Sequence, residues 1–253
     1  MIAPIRPFSS SDTLDRALQL FEEGQLCAAH RELHHVLSQD GDFGRAWELL
    51  GQIYHTWSQT DQAISCLERA SSLVSLRASA MFALADCYAK TGQTELANEM
   101  LRYLQKRQDA PASLLLEVAA HWDLRGEMLP AIAACREAVR RDPDWALPYF
   151  DLSFYLGKSG APPHIIEATA RKAISLAPEN PRFRVGLAGF LQTCGRECEA
   201  YALLAPVTLN HIQTMTCPCC LARLVAIFEA AGDRRADFCK LHAEQVSNWA
   251  SQS

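Results

Sequence analysis

Four residues near the C-terminus have the types and spacing that hold a metal ion. Cys217 and Cys220 form a Cys-x2-Cys pair, and after 18 intervening residues Cys239 and His242 form Cys-x2-His. Thiolate and imidazole are zinc ligands, and two short pairs at this separation suit a tetrahedral structural site. If the helices on either side of Gly232 run antiparallel, residue 220 stands level with about residue 244, which lets the two pairs approach. The second pair, however, falls inside a helix, where i and i+3 side chains converge less well than in a turn. Three readings follow: a structural zinc that caps the last helix pair, thiols that fill core or cap positions beside a solvated His242, and redox chemistry from a thiolate at a helix N-terminus. Cys219 stands outside the ligand spacing.

Other reactive side chains give less. Cys194 and Cys198 flank Gly195 as a local pair, and single cysteines at 27, 66, 87 and 135 fall on helical faces, where thiols act as small hydrophobes. A reducing compartment fits ten cysteines so placed better than a disulfide framework does. His30 and His34 are i, i+4 neighbours, but Arg-Glu-Leu lies between them, so the His-Glu-x-x-His order of metalloproteases is not met and a solvated face is expected. No phosphate-binding Gly-x4-Gly-Lys, no dinucleotide Gly-x-Gly-x2-Gly and no Gly-x-Ser-x-Gly elbow occurs. These observations speak against an enzyme.

The elements that would position any of these residues repeat every 34 positions. From Gly44, the residues Trp47, Leu50, Gly51, Tyr54, Ala63, Leu67 and Ala70 set a pattern of large and small side chains on two short helices. From Ala78 the same places hold Met81, Leu84, Ala85, Tyr88, Ala97, Leu101 and Leu104; from Ala112 they hold Leu115, Val118, Ala119, Trp122, Ala131, Cys135 and Ala138. Weaker copies begin near residues 10, 146, 181 and 215, the fifth with one extra residue at Ala161-Pro162-Pro163. Glycines 24, 92, 126, 160, 195 and 232 mark the turns within pairs. Helix pairs of this size cannot bury their apolar faces alone and must stack.

Period and pattern resemble the tetratricopeptide repeat, and the Gly44 copy matches its W-x2-L-G-x2-Y…A-x3-F consensus almost throughout. The resemblance implies an all-α chain: a right-handed α-solenoid of about seven 34-residue helix-turn-helix repeats. A single solenoid is expected over residues 10–250, with an extended lead-in at 1–9 and a divergent, cysteine-rich last repeat and cap at 215–253.

In this family the first helix of each repeat lines a concave groove that binds a protein segment. Carried over position by position, the resemblance implies groove residues Arg45, Glu48, Gln52 and His55 in repeat two, and Phe82, Asp86 and Lys90 in repeat three. Repeat four offers Leu116, Asp123 and Leu124, repeat five Phe150, Phe154 and Lys158, and repeat six Arg182, Val185 and Gln192. Members that grip chaperone C-terminal tails use lysine, arginine and asparagine on this wall. Here Glu48 and Phe82 stand where lysine is needed, and Gln52 and Asp86 where asparagine is, so chaperone tails are disfavoured. The expected function is a non-enzymatic adaptor that binds a peptide segment in its groove. The alternative is a metal-binding or thiol-redox protein that uses the C-terminal cluster, and zinc is the one cofactor it would imply.

Bulk properties agree. A formal net charge of −5 gives no electrostatic reason to expect nucleic acid or an anionic membrane as partner. No apolar run approaches the 18 or so residues of a membrane span. The location expected is the cytoplasm.

Overall fold

The computed structural model describes residues 10–250, and the lead-in expected at 1–9 lies outside the described residues. Among the described residues there are fifteen helices and no strand. They divide into two compact units, separated between Glu137 and Ala138.

The first unit holds α1 (Ser10–Glu22), α2 (Leu26–Gln39), α3 (Gly44–Thr56), α4 (Thr60–Leu73), α5 (Ala78–Lys90), α6 (Thr94–Leu104), α7 (Ala112–Leu124) and the start of α8 (Met128–Arg141). Helices α1 and α2, α3 and α4, and α5 and α6 pack as hairpins, and α1, α3, α5 and α7 contact one another in turn as one layer. Sequence explains this layer. In α3, Ala46, Leu49, Leu50 and Ile53 recur at helical spacing and are all buried, while Ala63, Cys66, Leu67 and Ala70 form the facing stripe of α4. Small residues in these stripes let the helix axes approach, and large ones fill the space between pairs. Trp122 of α7 is the largest side chain to be wholly enclosed.

The second unit holds the end of α8, then α9 (Ala146–Lys158), α10 (Pro163–Leu176), α11 (Pro181–Thr193), α12 (Glu197–Leu203), α13 (Leu209–Gln213), α14 (Pro218–Ala230) and α15 (Arg235–Ala250). Its core gathers Leu187, Leu191, Leu204, Ile212, Leu221, Leu224 and Phe228, which come from α11, α13, α14 and the end of α12. The regular hairpin breaks down after α11. Helix α12 stops after seven residues, and α13, for which the period gives no place, turns the chain before α14. Thr208 starts α13 with a capping box: its hydroxyl accepts from the His211 amide, and His211 Nδ1 accepts from the Thr208 amide.

All six turn glycines have positive φ, between 66° and 84°. The corresponding place in the α3–α4 turn, 34 residues before Gly92, is taken by Ser58 at φ 58°. An L side chain in this region costs roughly 1–2 kcal/mol, set against the extra freedom that a glycine has when unfolded. Ser58→Gly is therefore expected to raise stability by about 0.5–1 kcal/mol. A thermal melt that shows no gain would mean the exposed serine makes a compensating contact.

Candidate functional site

The first-unit residues expected on the groove wall largely pair with each other. Glu48 is almost wholly buried at the edge of a cavity of about 240 Å³ that Leu14, Leu18, Arg45, Gln52 and Ser79 also line. One of its carboxylate oxygens accepts from Arg45 Nη1 at 2.6 Å and the other from the Arg77 amide at 2.5 Å. Arg45 also donates to the Ser75 carbonyl, so this pair ties α3 to the start of α5. Gln52 donates to Ser79 Oγ at 2.8 Å.

One helix further on, Asp86 takes His55 Nε2 at 2.7 Å and Lys90 Nζ at 2.6 Å, with His121 Nε2 at 3.9 Å. Burial pushes the Asp86 carboxyl up, but hydrogen bonds from His55 and Lys90 outweigh it and hold the pKa at about 2. Burial also lowers the pKa of His121, whose Nε2 is enclosed without a hydrogen-bond partner. Phe82 meets the His121 ring edge-on with centroids 6.2 Å apart, and with Gln52 and His55 it lines a second cavity of about 200 Å³. Leu116, expected on the groove wall, is buried with Leu114 and Leu115 because α7 is apolar on most of its surface. Asp123 is half-buried and Leu124 projects into solvent.

The second unit carries a more open cavity of about 380 Å³. Phe150, Phe154 and Lys158 of α9 line it together with Gly186, Gly189 and Phe190 of α11 and Arg223 of α14. Two glycines account for its shape. A Cβ on Gly186 would stand 2.5 Å from the Phe150 ring, and one on Gly189 would stand 2.8 Å from Arg223 Cδ. Phe150 also stacks at a tilt on Phe183, with centroids 4.9 Å apart, and Arg182 sits 5.3 Å from its centroid. Phe154 is exposed and has Lys158 Nζ 5.3 Å from its centroid. Val185 is buried in the core, and Gln192 lines a separate cavity of about 140 Å³ with Tyr201 and Ile227.

Asp151 follows Phe150 on α9 and does not line this cavity. Burial raises its carboxyl to about 6, partly offset by the positive charge of Arg182. The folded state thus holds this proton more tightly than the unfolded chain, whose carboxyl titrates near 3.8. Folding stability from this group is fullest below about pH 4, declines as pH rises to about 6, and stays reduced above. Asp151→Asn is expected to leave stability at pH 4 almost unchanged and to raise it at pH 7.5 by about 1–3 kcal/mol. Melting curves at the two pH values check this, and an equal shift at both would refute the titration.

At the C-terminal cluster the structure gathers a different set from the one the spacing suggests. Among the described residues, the sulfurs of Cys217, Cys219 and Cys220 lie within 4.8 Å of one another, and Cys239 and His242 are not in this group. Cys217 is the N-cap of α14, Pro218 its first residue, and Cys219 and Cys220 complete the first turn. Helix geometry at the cap brings 217 and 219 together, with sulfurs 2.8 Å apart, although their spacing in sequence is not that of a knuckle. Burial works against ionisation of Cys217, but donors from Cys219 and Cys220 bring its thiol down to about 7, while burial pushes Cys220 up to about 12. Cys239 is fully enclosed in the core between α14 and α15, and burial raises its thiol to about 11. His242 Nε2 lies 2.9 Å from the Met215 carbonyl and pins α15 to the segment just before Cys217. Of the single cysteines, Cys66, Cys87 and Cys135 are buried, whereas Cys27 is exposed.

Comparison with known proteins follows the fold. A tetratricopeptide-repeat profile matches residues 44–73, the α3–α4 hairpin. No curated protein sequence matches at a significant level. Among solved structures, the chain is similar to the C-terminal part of a TPR repeat-containing protein from Cytophaga hutchinsonii, at 12% identity and TM-score 0.66, over 92% of this chain and 95% of that one. It is similar also to a tetratricopeptide repeat protein from Parabacteroides merdae, at 15% identity and TM-score 0.63, over 94% of this chain and 93% of that one. A third is YrrB, described as a TPR protein with an unusual peptide-binding site, at 16% identity and TM-score 0.52, over 67% of this chain and 87% of that one. At these identities the likenesses speak for the α-solenoid fold. One tetratricopeptide repeat is thus matched at α3–α4, and the solved likenesses share the α-solenoid fold.

Proposed function

We propose that the chain is a non-enzymatic interaction scaffold, and that the cavity between α9, α11 and α14 takes an apolar side chain of a peptide segment with an acidic residue close by. The tetratricopeptide-repeat fold and its solved likenesses support the scaffold role. What carries the finer reading is the cavity itself: an apolar floor of Phe150, Phe154 and Phe190, opened by Gly186 and Gly189 and rimmed by Lys158 and Arg223. A pocket of this kind suits one anchoring side chain, and the Arg223 guanidinium at its mouth favours a carboxylate beside the anchor. In the first unit the charges at groove positions are paired internally, so that surface would discriminate partners by shape more than by charge. No helix among the described residues is long and apolar enough to cross a membrane. We place the scaffold in the cytoplasm, where its ten cysteines would remain thiols.

The test is selection from a random peptide library on the intact protein, followed by affinity measurement of the enriched peptides. Selected sequences are expected to pair Leu, Ile, Met or Phe with Asp or Glu within about two residues. Arg223→Glu, at an exposed position, is expected to weaken binding about tenfold, roughly 1.4 kcal/mol. Selection without such a consensus, or affinity unchanged in this variant, would refute this assignment.

A further inference from the structure

We propose that Cys217, Cys219 and Cys220 form a three-thiolate site for one thiophilic d10 cation, Cu(I) or Zn(II), at the N-terminus of α14. Three observations carry it. First, the three sulfurs already lie within 4.8 Å of each other, and two thiolates on one tetrahedral ion at ~2.3 Å need a separation of roughly 3.8 Å. Cys219 is exposed and Cys217 half-exposed, so a turn of one side chain opens their 2.8 Å contact to that distance without moving the helix.

Second, the backbone that presents them is fixed. Pro218 sets the first helical residue, Cys220 is buried against the core of the second unit, and the bond between His242 and Met215 anchors the chain two residues before Cys217. His242, which spacing suggests as a ligand, therefore serves as a support of the site. Third, negative charge is compensated locally. The Cys219 and Cys220 backbone amides donate toward the Cys217 sulfur, and Arg223, one turn beyond Cys219, adds a guanidinium.

The donor set is soft, which selects Cu(I) or Zn(II) over oxygen-seeking ions. No fourth histidine, cysteine or carboxylate joins the group among the described residues, so the ion keeps an open position toward solvent. Cu(I) is content with three sulfurs, whereas Zn(II) would complete its tetrahedron with water or with a donor from a bound partner. Binding exchanges the protons of the three thiols for the cation, and no sulfur is oxidised.

The experiment uses the full chain, fully reduced and under argon, titrated separately with Zn(II) and with Cu(I) against a chromophoric competitor for each. For at least one of the two ions the expected result is one ion per chain, bound at least a hundredfold more weakly by Cys219→Ser, whose side chain is exposed and not needed for folding. Cys239→Ser and His242→Ala are expected to keep the one-to-one stoichiometry, and circular dichroism checks that each variant is folded. For Cu(I), near-ultraviolet charge-transfer absorption should rise linearly to one equivalent. Failure of the native chain to compete for either ion would overturn the proposal. So would a site that survives Cys219→Ser but is lost in folded Cys239→Ser or His242→Ala. Neither result bears on peptide selection by the α9–α11 cavity.

Discussion

Replacing Phe228 with alanine is expected to remove about 3–5 kcal/mol of stability, the cost of deleting a large, wholly enclosed aromatic side chain. Phe228 sits on α14 with none of its surface exposed, inside the core that joins α11, α13, α14 and α15. Its ring has Tyr201 edge-on at 6.4 Å and the Arg235 guanidinium over its face at 4.2 Å. Arg235 is held there from behind: it pairs with Asp233 and donates to the carbonyls of Leu204 and Val207, where α12 ends. Removing the ring therefore leaves a cavity and also takes away the surface on which that arginine rests. Domains of ordinary size have about 5–15 kcal/mol in hand, so the loss is a large share of the total. Urea unfolding followed by circular dichroism measures it, with Phe228→Leu expected to lose less than half as much. A loss below about 1 kcal/mol would mean that the core closes over the vacancy.

Glu48→Ala is expected to cost about 2–3 kcal/mol, because it strips charge-assisted hydrogen bonds from a site closed to water. Arg77 is the N-cap residue of α5 and has no side-chain cap of its own. Glu48 accepts its amide from the neighbouring helix, as a glutamate in the first turn does in a capping box, and holds Arg45 with its other oxygen. Glu48→Gln keeps an acceptor for the amide and should cost less than half as much. If instead Glu48 served only to meet a ligand, both variants would melt like the native chain.

The buried tie made by Glu48 marks the limit of what residue types and spacing reveal. The α-solenoid is legible in the sequence because its cause is periodic: Leu50, Leu84 and Val118 recur 34 residues apart, all buried, within an alternation of small and large side chains that only stacked hairpins can cover. The role of Glu48 is not legible in this way. A groove position in a repeat says where a side chain starts, and whether it then reaches a ligand or a neighbour's amide depends on the length of the side chain and on the turn beside it. Cys219 escapes the spacing for a related reason. Spacing rules for metal sites assume knuckle turns, whereas a helix cap folds residues 217 and 219 toward each other. Helix α13 escapes the period altogether, and its one local signal is Thr208, three residues ahead of a histidine and not of the usual glutamate.

The side-chain bonds that join one hairpin to the next are short in sequence. Arg45 reaches Ser75, His55 reaches Asp86 and Arg235 reaches Leu204, at separations of 30 or 31 residues. For a polypeptide made from its N-terminus, this means that α3 acquires the partners of Arg45 and His55 as soon as α5 has been synthesised. It has no need to wait for distant sequence, and loop closure over such spans is entropically cheap. The order of synthesis and the order of assembly can therefore coincide, and few apolar stripes would remain uncovered for longer than it takes to add one more hairpin.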